Sequence, residues 1–282
     1  MDADIDADLV RTLLKEQHPD LADLELKEII GGWGNQMWRL GDDLAVRMPR
    51  GNQGAEPLRR EHRWMPGLAA QLPLPVPTPI RLCDPSGSFP RTWLITTWVH
   101  GEPADHAPIT DPAAADVLAD FLKALHTKVP ADAPVSERST LAPSPGFDEV
   151  QAYVGRSAEI RAVWEDALAA PGWDGAPVWL HGDLHPANVV VADGTLAGVV
   201  DFEEIGAGDP ANDLAAAWIL LPEAERFLDA YGADGATVRR ARGWALTRAL
   251  FLIAMGINGE LGKPSGKTHW GPIGQAALDR LL

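Results

Sequence analysis

The chain has 282 residues, 46% hydrophobic and 23% charged, with a formal net charge of −16 at pH 7. That length carries one large domain or two lobes with ample core. The acidic excess argues against a nucleic-acid partner, because phosphate backbones are held by Lys and Arg, and it suits either general solubility or a cationic substrate.

The acidic start, MDADIDADLVRTLLKE, lacks the basic opening of a signal peptide. Ile5, Leu9 and Leu13 recur at helical spacing there, so an amphipathic helix is expected. In ELKEIIGGWGNQMWRLGDDLAVRMPR, apolar runs alternate with Gly-rich turns, which predicts antiparallel strands and hairpins. AEPLRREHRWMPGLAAQL reads as a helix that kinks or breaks at Pro66. LPLPVPTPIRLC is proline-punctuated and extended, and ends on the single cysteine, Cys83, so no intrachain disulfide forms. TWLITTWV (Thr92 to Val99) is β-branched and aromatic, as in a buried strand. After HGEP (His100 to Pro103) the pattern turns helical. Asp111 caps and Pro112 starts a helix with Val117, Leu118, Phe121, Leu122 and Leu125 on one face. ALFLIAMGI (Ala249 to Ile257) is too short to span a membrane. A soluble, cytoplasmic protein with no membrane partner is expected, as a monomer or weak homodimer. Its fold class is α+β, with a small β-rich lobe over 1–99 and a larger, mostly helical lobe over 100–282.

The segment VWLHGDLHPANVVVADGTLAGVVDF (Val178 to Phe202) interrupts the helices. PVWL and NVVV read as strands around the loop HGDLHPAN, and LAGVV as a third strand ending at Asp201. Asp183, Asn188 and Asp201 thus bear oxygen atoms that can converge. Magnesium takes one or two protein oxygen ligands and completes its shell with phosphates and water, which fits Asn188 and Asp201. Asp183 is placed to accept a proton from an attacking hydroxyl. That division of labour belongs to phosphoryl transfer. The alternation of His181, Asp183 and His185 also suits zinc or iron. However, no other His-rich cluster supplies further ligands, and His269, the only later histidine, sits in a Gly/Pro-rich stretch. His181 reads as a loop-holding residue, and His185 as a phosphate neighbour or an exposed loop histidine.

HGDLHPAN matches the kinase catalytic-loop form H-x-D-x-x-x-x-N, and Asp201-Phe202-Glu203 stands where kinases carry D-F-G. With GDPANDLA soon after, the chain resembles the aminoglycoside phosphotransferase family and its small-molecule-kinase relatives over nearly its whole length. The resemblance implies a two-lobed protein-kinase-like fold, Mg2+, and ATP or GTP as co-substrate. No lysine lies between Lys27 and Lys123, so the phosphate anchor falls to Arg47 in LAVRMPR, with Glu61, fourteen positions on, as its partner. GGWGN would supply the glycine turn, with Gly32 and Gly34 matching and Met37 in the third glycine's place. By the same analogy the Thr97 carbonyl and Val99 amide meet the purine. Asp213 is read as bonding the catalytic-loop backbone, and Asp209 as a similar or local turn residue. GKPSGKT (Gly262 to Thr268) is one residue short of a P-loop and has no regular helix expected after it, so it reads as a flexible loop.

Only five residues separate Glu203 from Asp209, and no A-P-E motif follows. A peptide-docking activation loop has no room, so the acceptor is a small molecule. Within the resembling family that means an aminoglycoside or other antibiotic, a macrolide, or a metabolite. Glu203 and Glu204, beside Asp201, are candidates to hold a cationic acceptor or are simply solvated. A nucleotide-binding module without transferase activity is the other class of reading. It is motivated by Arg47 in place of lysine, and opposed by the presence of Asp183, Asn188 and Asp201 together.

Overall fold

A computed structural model describes residues 5–30, 34–51, 54–143 and 147–282. The chain divides into two compact units, one of residues 1–71 and 75–100, the other of residues 72–74 and 101–282.

The first unit opens with α1 (Ala7–Gln17), capped by the Asp6 carboxylate accepting from the Leu9 amide at 2.9 Å. Strands β1 (Leu26–Ile29), β2 (Asn35–Leu40) and β3 (Leu44–Pro49) follow, then α2 (Glu56–Ala69), β4 (Pro79–Cys83) and β5 (Trp93–Thr97). They form one antiparallel sheet in the order β1-β2-β3-β5-β4. The β-branched strand read from the sequence is thus an inner one, and the proline-rich one lies at the edge, where a missing N–H is tolerated. Val10, Leu13 and Leu14 of α1 pack with Trp38, Met48, Trp93 and Ile95 in the core. The expected break at Pro66 does not occur. Leu58, Glu61, Met65 and Leu68 keep one buried face through the proline, so packing outweighs the lost backbone bond.

The second unit holds β6 (Glu102–Pro103) and helices α3 (Ala114–Leu125), α4 (Phe147–Val154) and α5 (Ser157–Ala169). Strands β7 (Val178–Leu180), β8 (Val189–Ala192), β9 (Thr195–Val199) and β10 (Gly206–Gly208) come next. Five helices close it: α6 (Ala211–Leu214), α7 (Ala216–Leu220), α8 (Ala224–Tyr231), α9 (Gly235–Glu260) and α10 (Trp270–Leu281). Two small antiparallel sheets, β6-β8-β9 and β10-β7, sit among the helices. Helix α3 starts later than the Asp111-Pro112 signal suggests: the Asp111 carboxylate accepts from the Ala113 amide at 2.9 Å in a preceding turn. Helix α9 is buried on many sides, and α10 crosses it where a Cβ on Gly256 would lie 2.4 Å from the Gly271 Cα. Only glycine permits that approach. The regular helix α10 also corrects the reading of GKPSGKT. Pro272 falls in the first turn of α10, where its missing N–H has no partner to lose. The Lys267 amide ties the preceding loop to the Met255 carbonyl at 2.9 Å. Among the described residues no helix is long and apolar enough to cross a membrane.

Candidate active site

Strand β7 ends at His181, and the chain turns sharply to bring Asp183 forward. Gly182 makes the turn at φ +84°, where a Cβ would lie 3.0 Å from the Glu204 carbonyl oxygen. The turn is held from beneath by Asp213 on α6. Its Oδ2 accepts from the His181 amide at 2.7 Å and its Oδ1 from the Gly182 amide at 2.9 Å. This is the loop-bonding role read for Asp213 from the sequence. His126 Nε2 lies 3.2 Å from Oδ2, and its Nδ1 lies 2.8 Å from the Tyr231 hydroxyl. Burial pushes the Asp213 carboxyl up, but the His126 hydrogen bond, nearby histidine charge and the Gly182 amide outweigh it and hold it below the usual range.

The His181 ring braces the same turn. Nδ1 accepts from the Asp183 amide at 3.2 Å, so Nε2 carries the proton it donates to the Val200 carbonyl at 2.9 Å. Fully buried and packed on Phe202, His181 holds the loop rather than facing an acceptor.

Asp183 lies on this braced loop. Arg138 donates to its Oδ1 at 2.5 Å, and His185 Nε2 lies 3.6 Å from its Oδ2. Burial opposes ionisation of Asp183, but positive charge from His185 when protonated, Arg138 and Arg248 holds its carboxyl below the usual range. Burial pushes His185 down to about 4. His185 is therefore neutral near pH 7, with Nδ1 accepting from the Ala187 amide at 3.3 Å and Nε2–H directed at Asp183. It is half-buried within the loop rather than exposed. With Oδ1 taken by Arg138, Oδ2 is the Asp183 oxygen left to receive a proton.

Asn188 ends a short 3-10 turn, Pro186–Asn188, before β8. Its Nδ2 donates to the Asp183 carbonyl at 3.0 Å, so Oδ1 is the side-chain atom that could act as a ligand. The Val200 amide donates to the Asn188 carbonyl at 2.9 Å, so the β8–β9 ladder sets Asp201 beside Asn188. Asp201 adopts φ +66°, a left-handed conformation that Asp tolerates better than most residues and that recurs at functional sites. An amide oxygen and a carboxylate on adjoining backbone suit a hard divalent cation such as Mg2+. Glu203 and Glu204 follow in a turn, both partly buried. Asp209 caps the Ala211 amide at 3.0 Å and receives the Arg240 guanidinium at 2.6 and 3.2 Å.

The first unit joins Arg47 on β3 to Glu61 on α2. Arg47 Nη1 donates to both Glu61 carboxylate oxygens, at 2.9 and 2.7 Å, with the side chains 5% and 1% exposed. Thr97 closes β5, and its amide donates to the Thr78 carbonyl at 3.0 Å. Val99 follows, 6% exposed. Gly34 accepts from the Arg50 amide at 2.7 Å, while Gly32 lies outside the described residues.

Two arginines escaped the sequence reading. Arg138 sits in a Pro/Ser-containing stretch with no periodicity to mark it. Arg248 carried a signal, as a charge beside an apolar run in α9. It donates to the Gly182 carbonyl at 3.0 Å and the Asn212 carbonyl at 2.6 Å, and burial pushes it down to about 10, still charged at neutral pH.

Comparison with known proteins matches residues 25–250 to the phosphotransferase enzyme family. An aminoglycoside 3'-phosphotransferase from Escherichia coli is 30% identical over 155 residues, 49% of this chain and 57% of that protein. A viomycin phosphotransferase from Streptomyces vinaceus is 30% identical over 157 residues, 50% and 54% of the two chains. The matched region thus spans about half the length of these relatives. Among solved structures, the GDP and kanamycin complex of APH(2'')-IIia aligns with a TM-score of 0.68 at 18% identity, covering 96% and 97% of the two chains. A macrolide 2'-phosphotransferase from Brachybacterium faecium aligns with a TM-score of 0.63 at 24% identity, covering 96% and 98%. These likenesses establish the α+β, kinase-like fold.

Proposed function

Because the chain belongs to the phosphotransferase enzyme family, we propose that it transfers the γ-phosphoryl group of ATP or GTP to a hydroxyl of a small molecule. The acceptor is an antibiotic, and an aminoglycoside or similar polycationic compound fits best. The observation that carries this reading is the braced loop: an ionised carboxylate, Asp183, whose carbonyl accepts from the Asn188 side chain, with Asp201 one residue past the Val200–Asn188 backbone bond.

Asp183 Oδ2 receives the acceptor's hydroxyl proton as the oxygen attacks phosphorus, while Arg138 on Oδ1 fixes the rotamer. His185, neutral, directs Nε2–H into the same space and adds a hydrogen-bond donor without a competing charge. Asn188 and Asp201 would hold Mg2+, which when bound neutralises charge on the phosphates. In the first unit the Arg47–Glu61 pair stands where a lysine–glutamate pair would anchor phosphates. Gly32, Gly34, Thr97 and Val99 supply backbone contacts to the nucleotide. The division of labour follows: residues 1–99 take the nucleotide, and 100–282 carry catalysis and the acceptor.

The substrate class rests on the aminoglycoside and viomycin relatives and on the net charge of −16, which favours approach of a cation. Glu203 and Glu204 are the acceptor-facing acids in this reading. The lone, buried Cys83 suits a reducing compartment, in keeping with cytoplasmic antibiotic inactivation by a monomer or weak homodimer.

The test is nucleoside diphosphate release with Mg2+ and ATP or GTP against aminoglycosides, tuberactinomycins, macrolides and amino alcohols. Release that depends on an acceptor and is lost in Asp183→Asn supports the proposal. Nucleotide binding without release for any acceptor argues for a non-catalytic nucleotide-binding role.

A further inference from the structure

A second cluster of ligand-type side chains lies in the second unit, away from Asn188 and Asp201 in sequence. Asp105 follows β6, and its side chain is only 3% exposed. One carboxylate oxygen carries all its bonds: Oδ2 accepts from the Trp270 indole N–H at 2.8 Å and from His269 Nε2 at 3.0 Å. The other, Oδ1, is buried with no hydrogen-bond partner among the described residues. His106 Nε2 lies 4.0 Å from the same Oδ2. The His106 and His269 rings stack with centroids 4.8 Å apart and planes 27° apart. One ligand atom from each of the three residues lies within 4.8 Å of the other two.

A buried carboxylate oxygen with no partner costs free energy unless something positive reaches it. Two stacked imidazoles thus face one buried carboxylate. We propose that Asp105, His106 and His269 form a binding site for one borderline divalent metal ion, with zinc its best-matched occupant.

Two imidazole nitrogens and one carboxylate are ligands that zinc accepts at about 2.0–2.2 Å, with water completing a tetrahedron. Such a tetrahedron sets ligand atoms about 3.3 Å apart. The two imidazole–carboxylate separations of 3.0 and 4.0 Å bracket that value and all three ligand atoms lie within 4.8 Å, so side-chain shifts of about 1–2 Å suffice. The two histidines are 63% and 41% exposed, which leaves them free to make the shift and leaves the ion an entry path. His269 would turn the Nε2 lone pair to the metal and keep its proton on Nδ1. The Trp270 indole N–H already orients the carboxylate through Oδ2, as a supporting donor does in metal sites. Lys267, whose ammonium stands 4.4 Å over the Trp270 ring, is the nearby competing cation. Soft-to-borderline nitrogen ligands also separate this site from the all-oxygen donors Asn188 and Asp201, so excess Mg2+ should not displace its occupant.

Occupancy would clamp the turn after β6 to the start of α10, and Trp270 of α10 sets its ring 5.2 Å from that of His185. The site thus adjoins the loop that carries Asp183 without sharing a residue with it.

The experiment is calorimetric titration of chelator-stripped full-length protein with Zn2+ in excess Mg2+, with Co2+ absorption reporting tetrahedral geometry. The expected result is one ion per chain. Affinity should fall at least tenfold in His106→Ala and in His269→Ala, stay unchanged in Asp201→Asn, and rise in Lys267→Gln. The ion should raise the wild-type unfolding temperature but not that of His106→Ala, which is checked for native circular dichroism. No stoichiometric binding, or binding that survives the His106→Ala/His269→Ala double variant, overturns the proposal. So does binding lost only in Asp201→Asn.

Discussion

Replacing Asp213 with asparagine tests the scaffold under the catalytic loop. The Asp213 carboxylate is fully buried and accepts from two backbone amides, at 2.7 and 2.9 Å, and faces His126 at 3.2 Å. Hydrogen bonds to a charged acceptor contribute about 1.5–3 kcal/mol each. Asparagine keeps one acceptor oxygen but turns an NH2 group towards an amide donor, so Asp213→Asn should cost about 3 kcal/mol at neutral pH. With a urea slope of about 1–3 kcal/mol/M, the midpoint should fall by about 1–3 M. Tryptophan fluorescence follows it, since Trp179, Trp218, Trp244 and Trp270 are all buried in this unit. The pH dependence has a definite sign. The folded Asp213 pKa lies below its unfolded value of about 3.9. Its contribution is therefore complete above that unfolded value and is lost as pH falls through the folded one. The gap between wild type and Asp213→Asn should narrow in acid below about pH 4. An unchanged midpoint at neutral pH, or a gap that widens in acid, would refute the reasoning.

Four further outcomes follow from the same geometry. Asp183→Asn should lower turnover by about 10²–10⁴-fold with nucleotide affinity intact, read by steady-state kinetics and calorimetry. Arg138→Ala frees the Asp183 rotamer, so kcat should fall about 10–100-fold while nucleotide affinity changes little. Glu61→Ala leaves the buried Arg47 charge uncompensated. It should destabilise the first unit by about 3–5 kcal/mol, whereas Arg47→Lys keeps a charge opposite Glu61 and should cost less in urea unfolding. Cys83, 1% exposed and pushed up to about 12 by burial, should resist thiol reagents in the native state and react on unfolding, which makes it a labelling probe for the first unit.

Much of this was legible because it is local. The hairpins of the first unit and the loop HGDLHPAN between apolar strands follow from period-two patterning and turn residues. Asp213 was readable because a motif fixes its distance from Asp201, and Glu61 because one helix face lies a set distance beyond β3. The errors arise where packing overrides local preference. Pro66 does not break α2 because the buried face on both sides of it is continuous. Pro272 sits harmlessly in the first turn of α10. Arg138 could not be found, since it meets Asp183 across 45 positions that include α4, α5 and β7. His269 looked isolated among glycines and prolines, yet the fold sets it against Asp105, 164 positions earlier. Chemistry assembled from distant segments leaves no spacing to read.

The most direct test of the central claim is mass spectrometry of the acceptor after incubation with protein, Mg2+ and ATP or GTP. The account predicts that an aminoglycoside or related cationic antibiotic gains one phosphoryl group with the wild type and none with Asp183→Asn. If no acceptor gains a phosphoryl group, or if Asp183→Asn modifies it as fast as the wild type, the proposed phosphotransfer mechanism is contradicted.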